Sequence, residues 1–167
     1  MLTFQEARKI AEQFLTRDTG SGDRLLIDDK GIVERPYAWI FPYDSERALA
    51  GDTRCALLGN TPIFINKSDG QVSVFGSGFS IDAMIDVYEE ENKSWNLQIK
   101  TDIYAAADKL SAMKKCLKLT RGQIAELKAT KARVVDSGAE RRLNDMLALL
   151  QKRGVDGEVV YNETPLA

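Results

Sequence analysis

The sequence of 167 residues contains no histidine. This absence excludes Ser-His and Cys-His nucleophilic pairs, general base catalysis by imidazole, and zinc sites built on histidine. Carboxylate pairs and Ser-Lys arrangements remain open as catalytic groups. Because no motif brings such groups together, the sequence predicts a protein that is not an enzyme. We expect it to use no cofactor, no metal and no small-molecule substrate.

Cysteine is scarce, and long hydrophobic runs are missing. Cys55 and Cys116 lie far apart without companions at metal-site spacing, which favours two buried thiols in a reducing compartment over a disulfide or a nucleophile. No apolar run approaches the roughly 20 residues that span a bilayer. Residues 1–6 lack the basic start and apolar block of a secretion signal. We therefore expect a cytoplasmic protein without a membrane partner.

Motifs for metal or phosphate binding are also weak. The segment Gly76–Gly78 lacks the Gly-Lys-Ser/Thr that would complete a phosphate loop, so it is interpreted as a bend. Asp28 with Asp29, and Asp82 with Asp86, are the acidic pairs that could hold a cation. Solvated turns and helix faces explain these carboxylates more simply.

The charge is divided unevenly along the chain. Residues 1–93 carry 16 acidic and 10 basic side chains, whereas residues 94–167 carry 9 acidic and 13 basic ones. This division favours two modules with different surfaces, although chance variation between two small domains would also produce it. We predict domains at residues 1–92 and 94–167, with Glu89–Ser94 as the linker.

The first module is predicted to contain a helix, about four antiparallel strands and a second helix. Thr3 and Glu6 form a capping box that begins the first helix, and the glycine-rich residues 19–23 end it. The second helix follows Ser80. The predicted strands are residues 24–35 (a hairpin, or one strand with a bulge), 38–43, 63–66 and 71–75, the last two joined by an Asp-Gly turn.

The second module shows the order β-α-α-β-α-β. Its predicted strands are residues 95–99, 133–135 and 155–161, and its predicted helices are residues 105–119, 123–130 and 139–152. The fold class predicted for the whole chain is therefore α+β: a helix, a four-stranded antiparallel sheet and a helix, followed by a small β-α-α-β-α-β domain.

An ordered set of aromatic, glycine and proline positions marks the first module. They are Trp39, Phe41, Gly51-Asp52, Ala56-Leu57, Gly59-Asn60, Pro62, Ile63, Lys67, Asp69-Gly70, Gly76 and Tyr88-Glu89. With these positions, residues 3–91 resemble the immunity protein 35 family of bacterial toxin-immunity proteins. The resemblance implies a small α+β protein encoded beside a toxin, which it neutralises by binding. The family has no catalytic residues to carry over.

The second module resembles another family. The matching features are Leu97-Gln98-Ile99, the helix containing Lys114, the helix Glu140–Leu150, Gly154 and Gly157-Glu158-Val159-Val160. On these features, residues 95–162 resemble the C-terminal domain of the bacterial ribosomal stalk protein. That family uses a glycine-leucine-glycine-leucine-lysine segment to bind elongation factors, but residues 119–124 contain only one glycine. The resemblance thus implies a similar scaffold rather than translation-factor binding.

A long loop, residues 44–60, is the first candidate for a binding site, because long ordered loops on compact scaffolds often carry function. A short helix over residues 48–58 that covers the sheet is the alternative. The candidate toxin-binding residues are Asp44, Glu46 and Asp52 on the loop, and Glu89, Glu90 and Glu91 as a second set. Solubility and the solvation of helix ends explain any single one of these carboxylates more simply than contact with a toxin does.

These features lead to one functional hypothesis and one rival. The chain is predicted to bind a cognate protein toxin and occlude its active site. Toxins that attack nucleic acids carry basic clefts, which an acidic surface would imitate and attract. The rival is a chaperone-like or ribosome-associated adaptor without catalytic activity. Nucleic-acid binding is not expected, because no aromatic residues interleave in sequence with the basic ones of residues 114–133.

Overall fold

The computed structural model describes residues 1–17 and 23–163 of the chain, so most of the glycine-rich helix end predicted at residues 19–23 lies outside the described residues. The fold is mixed α and β, which confirms the predicted class. Contacts divide the chain into two compact units, Met1–Asp82 and Ala83–Ala167, which we call unit 1 and unit 2.

Unit 1 consists of short strands and one long helix. Its elements are α1 (Phe4–Arg17), β1 (Leu25–Ile27), β2 (Val33–Glu34), β3 (Ala38–Phe41), β4 (Tyr43–Ser45), α2 (Glu46–Leu49), β5 (Ile63–Asn66) and β6 (Val72–Ser73). The predicted capping box at the start of α1 is confirmed. The Glu6 N–H donates to the Thr3 hydroxyl, and the Thr3 N–H donates to the Glu6 carboxylate at 2.8 Å.

The strands of unit 1 form two antiparallel sheets, one of four strands in the order β2-β3-β5-β6 and one that pairs β1 with β4. The predicted hairpin of β5 and β6 is confirmed, and Gly70 takes the positive φ of 74° that its turn requires. Both alternatives for residues 24–35 are wrong. Strands β1 and β2 do not pair with each other, because a 3₁₀ turn at Asp29–Gly31 sends them to different partners.

The core of unit 1 lies between α1 and the sheets. Ala7, Ala11 and Leu15 on one face of α1 are buried, as the helical spacing predicts. They pack against Ile27, Phe41, Ile63 and Ile65. Phe4 adds an edge-to-face contact with Trp39, with ring centroids 5.0 Å apart.

Unit 2 takes the predicted order β-α-α-β-α-β after one helix. Its elements are α3 (Ile81–Asn92, which begins at the end of unit 1), β7 (Trp95–Ile99), α4 (Ala107–Cys116), α5 (Arg121–Thr130), β8 (Val134–Gly138), α6 (Glu140–Gln151) and β9 (Gly157–Tyr161). The strands form one antiparallel sheet in the order β8-β7-β9. Leu97, Met113, Leu143 and Leu150 are fully buried in its core.

The segment Glu89–Ser94 is not the exposed linker that its composition indicates. Helix α3 runs through it to Asn92, and both Glu89 and Ser94 are buried. The chain then turns at Lys93, which has a left-handed φ of 50°. The contact division between the units consequently lies in the first turn of α3, before the predicted boundary.

In the part of the chain that the structure describes, no helix combines the length and the apolar character needed to cross a bilayer.

Candidate functional site

The loop of residues 44–60 is tied to the body of unit 1 at both ends. At its start β4 pairs with β1, and the Glu46 N–H donates to the Arg24 carbonyl at 2.8 Å. At its end the side-chain amide of Asn60 donates to the Tyr43 carbonyl. The two anchors hold the ends of the loop against the same strand pair, so the loop is an ordered projection of the scaffold.

Inside the loop, Ser45 is the central organising residue. Its hydroxyl is fully buried, accepts from the Ala48 N–H at 3.1 Å and donates to the Cys55 carbonyl at 2.7 Å. The first bond caps α2, and the second draws the far side of the loop inward. Sequence reasoning missed Ser45, although a serine directly before an acidic residue and a short helix is a common capping signal.

The alternative of one helix over residues 48–58 is wrong. Helix α2 contains only four residues, and a separate 3₁₀ turn occupies Thr53–Cys55. Gly51 lies between them with a φ of 108°, a conformation that residues with a Cβ rarely adopt. The helix therefore ends at the glycine.

Asp44, the first of the loop candidates, is used by the loop itself. Its carboxylate accepts from the Ser45 N–H at 2.7 Å and from the Leu57 N–H at 2.8 Å. Since Leu57 lies at the opposite end of the loop, this carboxylate closes the loop across its base. Asp44 is thus a structural residue of the candidate site.

Asp52 has a similar internal role. Its carboxylate accepts from the Arg54 N–H and caps the 3₁₀ turn, pairs with the Arg54 guanidinium at 2.9 Å, and lies 3.3 Å from Arg47. The hydrogen bond from the Arg54 side chain is the main reason why the pKa of Asp52 is lowered. The neighbouring Cys55 thiol donates to Asp52, and burial raises the pKa of this thiol, which makes it a poor nucleophile.

The outward-facing part of the loop includes one carboxylate and two leucines, beside the exposed guanidinium groups of Arg47 and Arg54. Glu46 is exposed and lies 3.5 Å from the exposed Arg24 guanidinium. Leu49 is 40% exposed and Leu58 is 99% exposed. We call Glu46, Leu49 and Leu58 the loop face. Sequence reasoning did not single out the leucines, because an apolar residue in a loop is usually buried and only the tertiary structure shows its exposure.

The second set of candidates lies in unit 2 and caps helix α6. The Ala139 N–H donates to the Glu90 carboxylate at 3.0 Å, and the Glu140 N–H donates to the Glu89 carboxylate at 2.8 Å. Ala139, at the N-cap position, provides no capping side chain of its own. Two acidic side chains from α3 therefore satisfy the first free N–H groups of α6 and face the positive end of its dipole.

Glu90 also belongs to a cluster of charges around Arg142. The Arg142 guanidinium lies 2.9 Å from Glu90 and 2.6 Å from Asp136. Partial burial acts to raise the pKa of Glu90, but hydrogen bonds from the Ala139 N–H, Lys93 and Arg142 outweigh it and lower that pKa. The hydrogen bond to Asp136, and then that to Glu90, raises the pKa of Arg142.

Gly138 is required by this cluster, since a methyl group there would overlap the Glu90 carboxylate and the Arg142 guanidinium. Of the three glutamates, only Glu91 is exposed to solvent without a recorded partner among the described residues. The structure thus makes Glu89 and Glu90 part of the framework of unit 2, whereas the loop candidates belong to unit 1.

This placement of α3 changes the distribution of charge. Unit 1 contains 12 acidic and 9 basic residues, and unit 2 contains 13 acidic and 14 basic ones. The strong asymmetry expected from the sequence arose because the carboxylates of α3 were counted with the first module. In the structure two of these carboxylates, those of Asp86 and Glu90, pair with Arg141 and Arg142 of α6.

Three of the four carboxylates considered as metal ligands are also engaged, and the fourth, Asp82, is exposed. Asp28 caps the 3₁₀ turn after β1, Asp29 pairs with Arg8, and Asp86 pairs with Arg141. Across residues 1–17 and 23–163, no group of three or more His, Cys, Asp or Glu side chains is arranged to hold a metal ion.

Comparison with protein-family models identifies a family for the first part of the chain. Residues 5–84 match the family model described as immunity protein 35. The matched residues coincide closely with unit 1, so the first of the two resemblances is supported over this part of the chain. Neither the curated proteins nor the solved structures contain a significant match to the chain.

Proposed function

We propose that the chain is an immunity protein that binds one cognate protein toxin and occludes the toxin's active site without catalysis. The observation that carries this proposal is the match of residues 5–84 to the immunity protein 35 family. The match covers the unit that bears the long loop. We therefore propose that the loop is the surface that contacts the toxin.

The loop face presents two exposed apolar side chains that could serve as anchors for a partner. Leu58 is an apolar side chain fully exposed on a backbone that Asp44 and Ser45 hold in place. Holding the backbone before binding reduces the entropy lost on association. A leucine presented in this way fits a pocket on a partner, because a few buried apolar anchors supply most of the energy of an interface.

A neighbouring segment extends the apolar surface. Gly59 lies against Ser77, whose Cβ would be 3.4 Å from a Cβ built on the glycine. The Thr61 hydroxyl donates to the Phe75 carbonyl at 3.0 Å and joins the two segments again. Phe79, in the same segment, is 55% exposed. We propose Phe79 as the second anchor beside Leu58.

Electrostatic attraction between unit 1 and a basic toxin is expected to be weaker than the charge distribution in the sequence indicated. Unit 1 has a net charge of only −3 once the carboxylates of α3 are assigned to unit 2. Of the three loop carboxylates, Glu46 is the one that faces outward. We propose that it steers a toxin with a basic cleft, such as one that attacks nucleic acids, and thereby raises the association rate.

The test measures binding to the toxin encoded beside the gene. Leu58→Asp should weaken the complex at least about tenfold, which corresponds to about 1.4 kcal/mol. The matched control is Leu149→Asp in unit 2, where the leucine is 49% exposed, and it should bind like the wild type. Glu46→Ala should lower mainly the association rate, and this effect should fade as salt rises.

Two results would contradict the proposal. If affinity purification recovers ribosomal proteins or many unrelated clients and no toxin, the chain is an adaptor. If a toxin is recovered but Leu58→Asp and Leu149→Asp bind it equally well, the function stands and the loop face is not the interface.

A further inference from the structure

Unit 2 contains a candidate binding site of its own, in the second half of the sequence. Two cavities of about 530 and 500 Å³ adjoin there, and Ile103, Tyr104 and Ala105 line both of them. Each has a volume within the range of about 300–1,000 Å³ that is typical of small-ligand pockets. Tyr104 is partly exposed at the place where they meet.

Both cavities are lined by unpaired cations. Lys131 and Arg133 line the first, and Lys114 and Lys128 line the second. No ion pair is recorded for these four side chains among the described residues, whereas Lys100, which also lines the first cavity, pairs with Glu158 at 2.7 Å. The two cavities together therefore have a lining with an excess of positive charge.

The one carboxylate that lines these cavities is already engaged. Asp102 accepts from the Tyr104 N–H at 3.0 Å and from the Ala105 N–H at 3.3 Å. These bonds fix the turn that presents the tyrosine. Asp102 thus shapes the turn, and its single negative charge offsets only part of the positive charge of the four cations.

Tyr104 and Lys131 form one composite surface. The Tyr104 hydroxyl donates to the Ala132 carbonyl at 2.8 Å, which fixes the ring, and the Lys131 ammonium lies 4.5 Å from the ring centroid. Lys131 ends α5 in the left-handed conformation, with a φ of 54°, where a glycine would be less strained. The strained backbone places the ammonium over the ring.

We propose that this cleft binds the sugar-phosphate backbone of single-stranded RNA. The four cations contact phosphates in the two cavities, and the ring between them packs against a base. An aromatic ring among cations is the arrangement that single-stranded nucleic acids require, and an acidic peptide would not need the ring. In sequence, Tyr104 lies ten or more positions before these basic residues, so only the tertiary structure brings them together.

The test is fluorescence anisotropy of the full chain with a labelled single-stranded RNA of about ten nucleotides, titrated at about 50 to 200 mM salt. The cleft variant carries Lys114→Ala, Lys128→Ala, Lys131→Ala and Arg133→Ala. The control variant carries Lys9→Ala, Lys30→Ala, Lys152→Ala and Arg153→Ala. It removes the same charge from exposed positions outside both cavities.

We expect the cleft variant to bind at least about tenfold more weakly than the control, with a salt slope reduced by roughly 3, the value for four lost phosphate contacts. Tyr104→Phe, which keeps the ring but loses the bond to the Ala132 carbonyl, should bind more tightly than Tyr104→Ala, which loses the ring. Equal losses in the cleft and control variants would overturn the proposal, as would no binding by the wild type at low salt. Displacement by polyglutamate as effective as by unlabelled RNA would show that the site binds polyanions in general, which would also overturn the proposal.

Discussion

At the scale of single residues, the carboxylates of this chain divide into those that build the fold and those that remain available. Asp44, Asp52, Glu89 and Glu90 all accept hydrogen bonds from backbone N–H groups. Such bonds are the commonest way in which a buried or partly buried carboxylate is stabilised. An acidic residue in the sequence is consequently a poor guide to a binding surface.

Glu90 gives a prediction about pH. Its pKa is lowered in the folded state relative to the ordinary value of 4.5. Its stabilising contribution is therefore present above pH 4.5 and is lost as the pH falls through the lower folded-state value. Glu90→Gln should reduce the free energy of unfolding of unit 2 by about 1–2 kcal/mol at pH 7, in the range of other lost helix caps. The difference from wild type should disappear in acid.

The measurement is urea unfolding followed through the amide NMR signals of α6 at a series of pH values. Glu91→Gln is the matched control, because it removes an exposed charge from the next position. Equal stability of the two variants at neutral pH would show that the cap on α6 contributes nothing measurable.

At the scale of elements, helix α3 is the segment whose assignment matters most. It begins in unit 1, but two of its carboxylates cap α6 and a third, Asp86, pairs with Arg141. The residues directly after α3 are also bound to unit 2, because the Asn162 N–H donates to the Ser94 carbonyl at 2.8 Å. Unit 2 is thus incomplete without α3.

This dependence gives a prediction for two fragments. The fragment of residues 83–167 should unfold cooperatively, whereas the fragment of residues 94–167, which lacks α3, should be less stable by about 1–3 kcal/mol. The reason is that the N–H groups of α6 lose their partners and Arg142 loses Glu90. Thermal unfolding followed by circular dichroism compares the two. Indistinguishable melting curves would restore the boundary predicted from the sequence.

At the scale of the whole molecule, each unit has its own sheet system and hydrophobic core. The sequence predicted that two modules fold independently. This remains a prediction, and the contacts place the boundary near residue 82. The family match covers residues 5–84, nearly all of which lie in unit 1. The ribosomal stalk resemblance of the second unit also remains a prediction.

Residues 1–82 should therefore fold without the rest of the chain. We expect this fragment to melt cooperatively and to give a dispersed NMR spectrum, because the core that α1 forms with the sheets lies entirely within it. Calorimetry of the full chain should then show two transitions that the separate fragments 1–82 and 83–167 reproduce. An unfolded 1–82 fragment would mean that the two units share one folding unit.

The sequence by itself determined the order of the elements after residue 94, the start of α1 at Thr3 and Glu6, the hairpin turn at Gly70 and the three strands of unit 2. These features depend on residues close together in the chain, where helical and strand periodicity or cap chemistry decides the outcome. The family resemblance of the first unit also rested on an order of positions that the sequence displays.

Only the tertiary structure decided what the charged and exposed residues do. Glu89 and Glu90 meet the start of α6 about fifty positions away, and Asp44 meets Leu57 across the loop. Helical and strand periodicity in the sequence does not predict such partners. A carboxylate accepts hydrogen bonds from whichever N–H or cation the folded chain brings to it. For the same reason the exposure of Leu58 and the grouping of four cations around Tyr104 became visible only once the chain was folded.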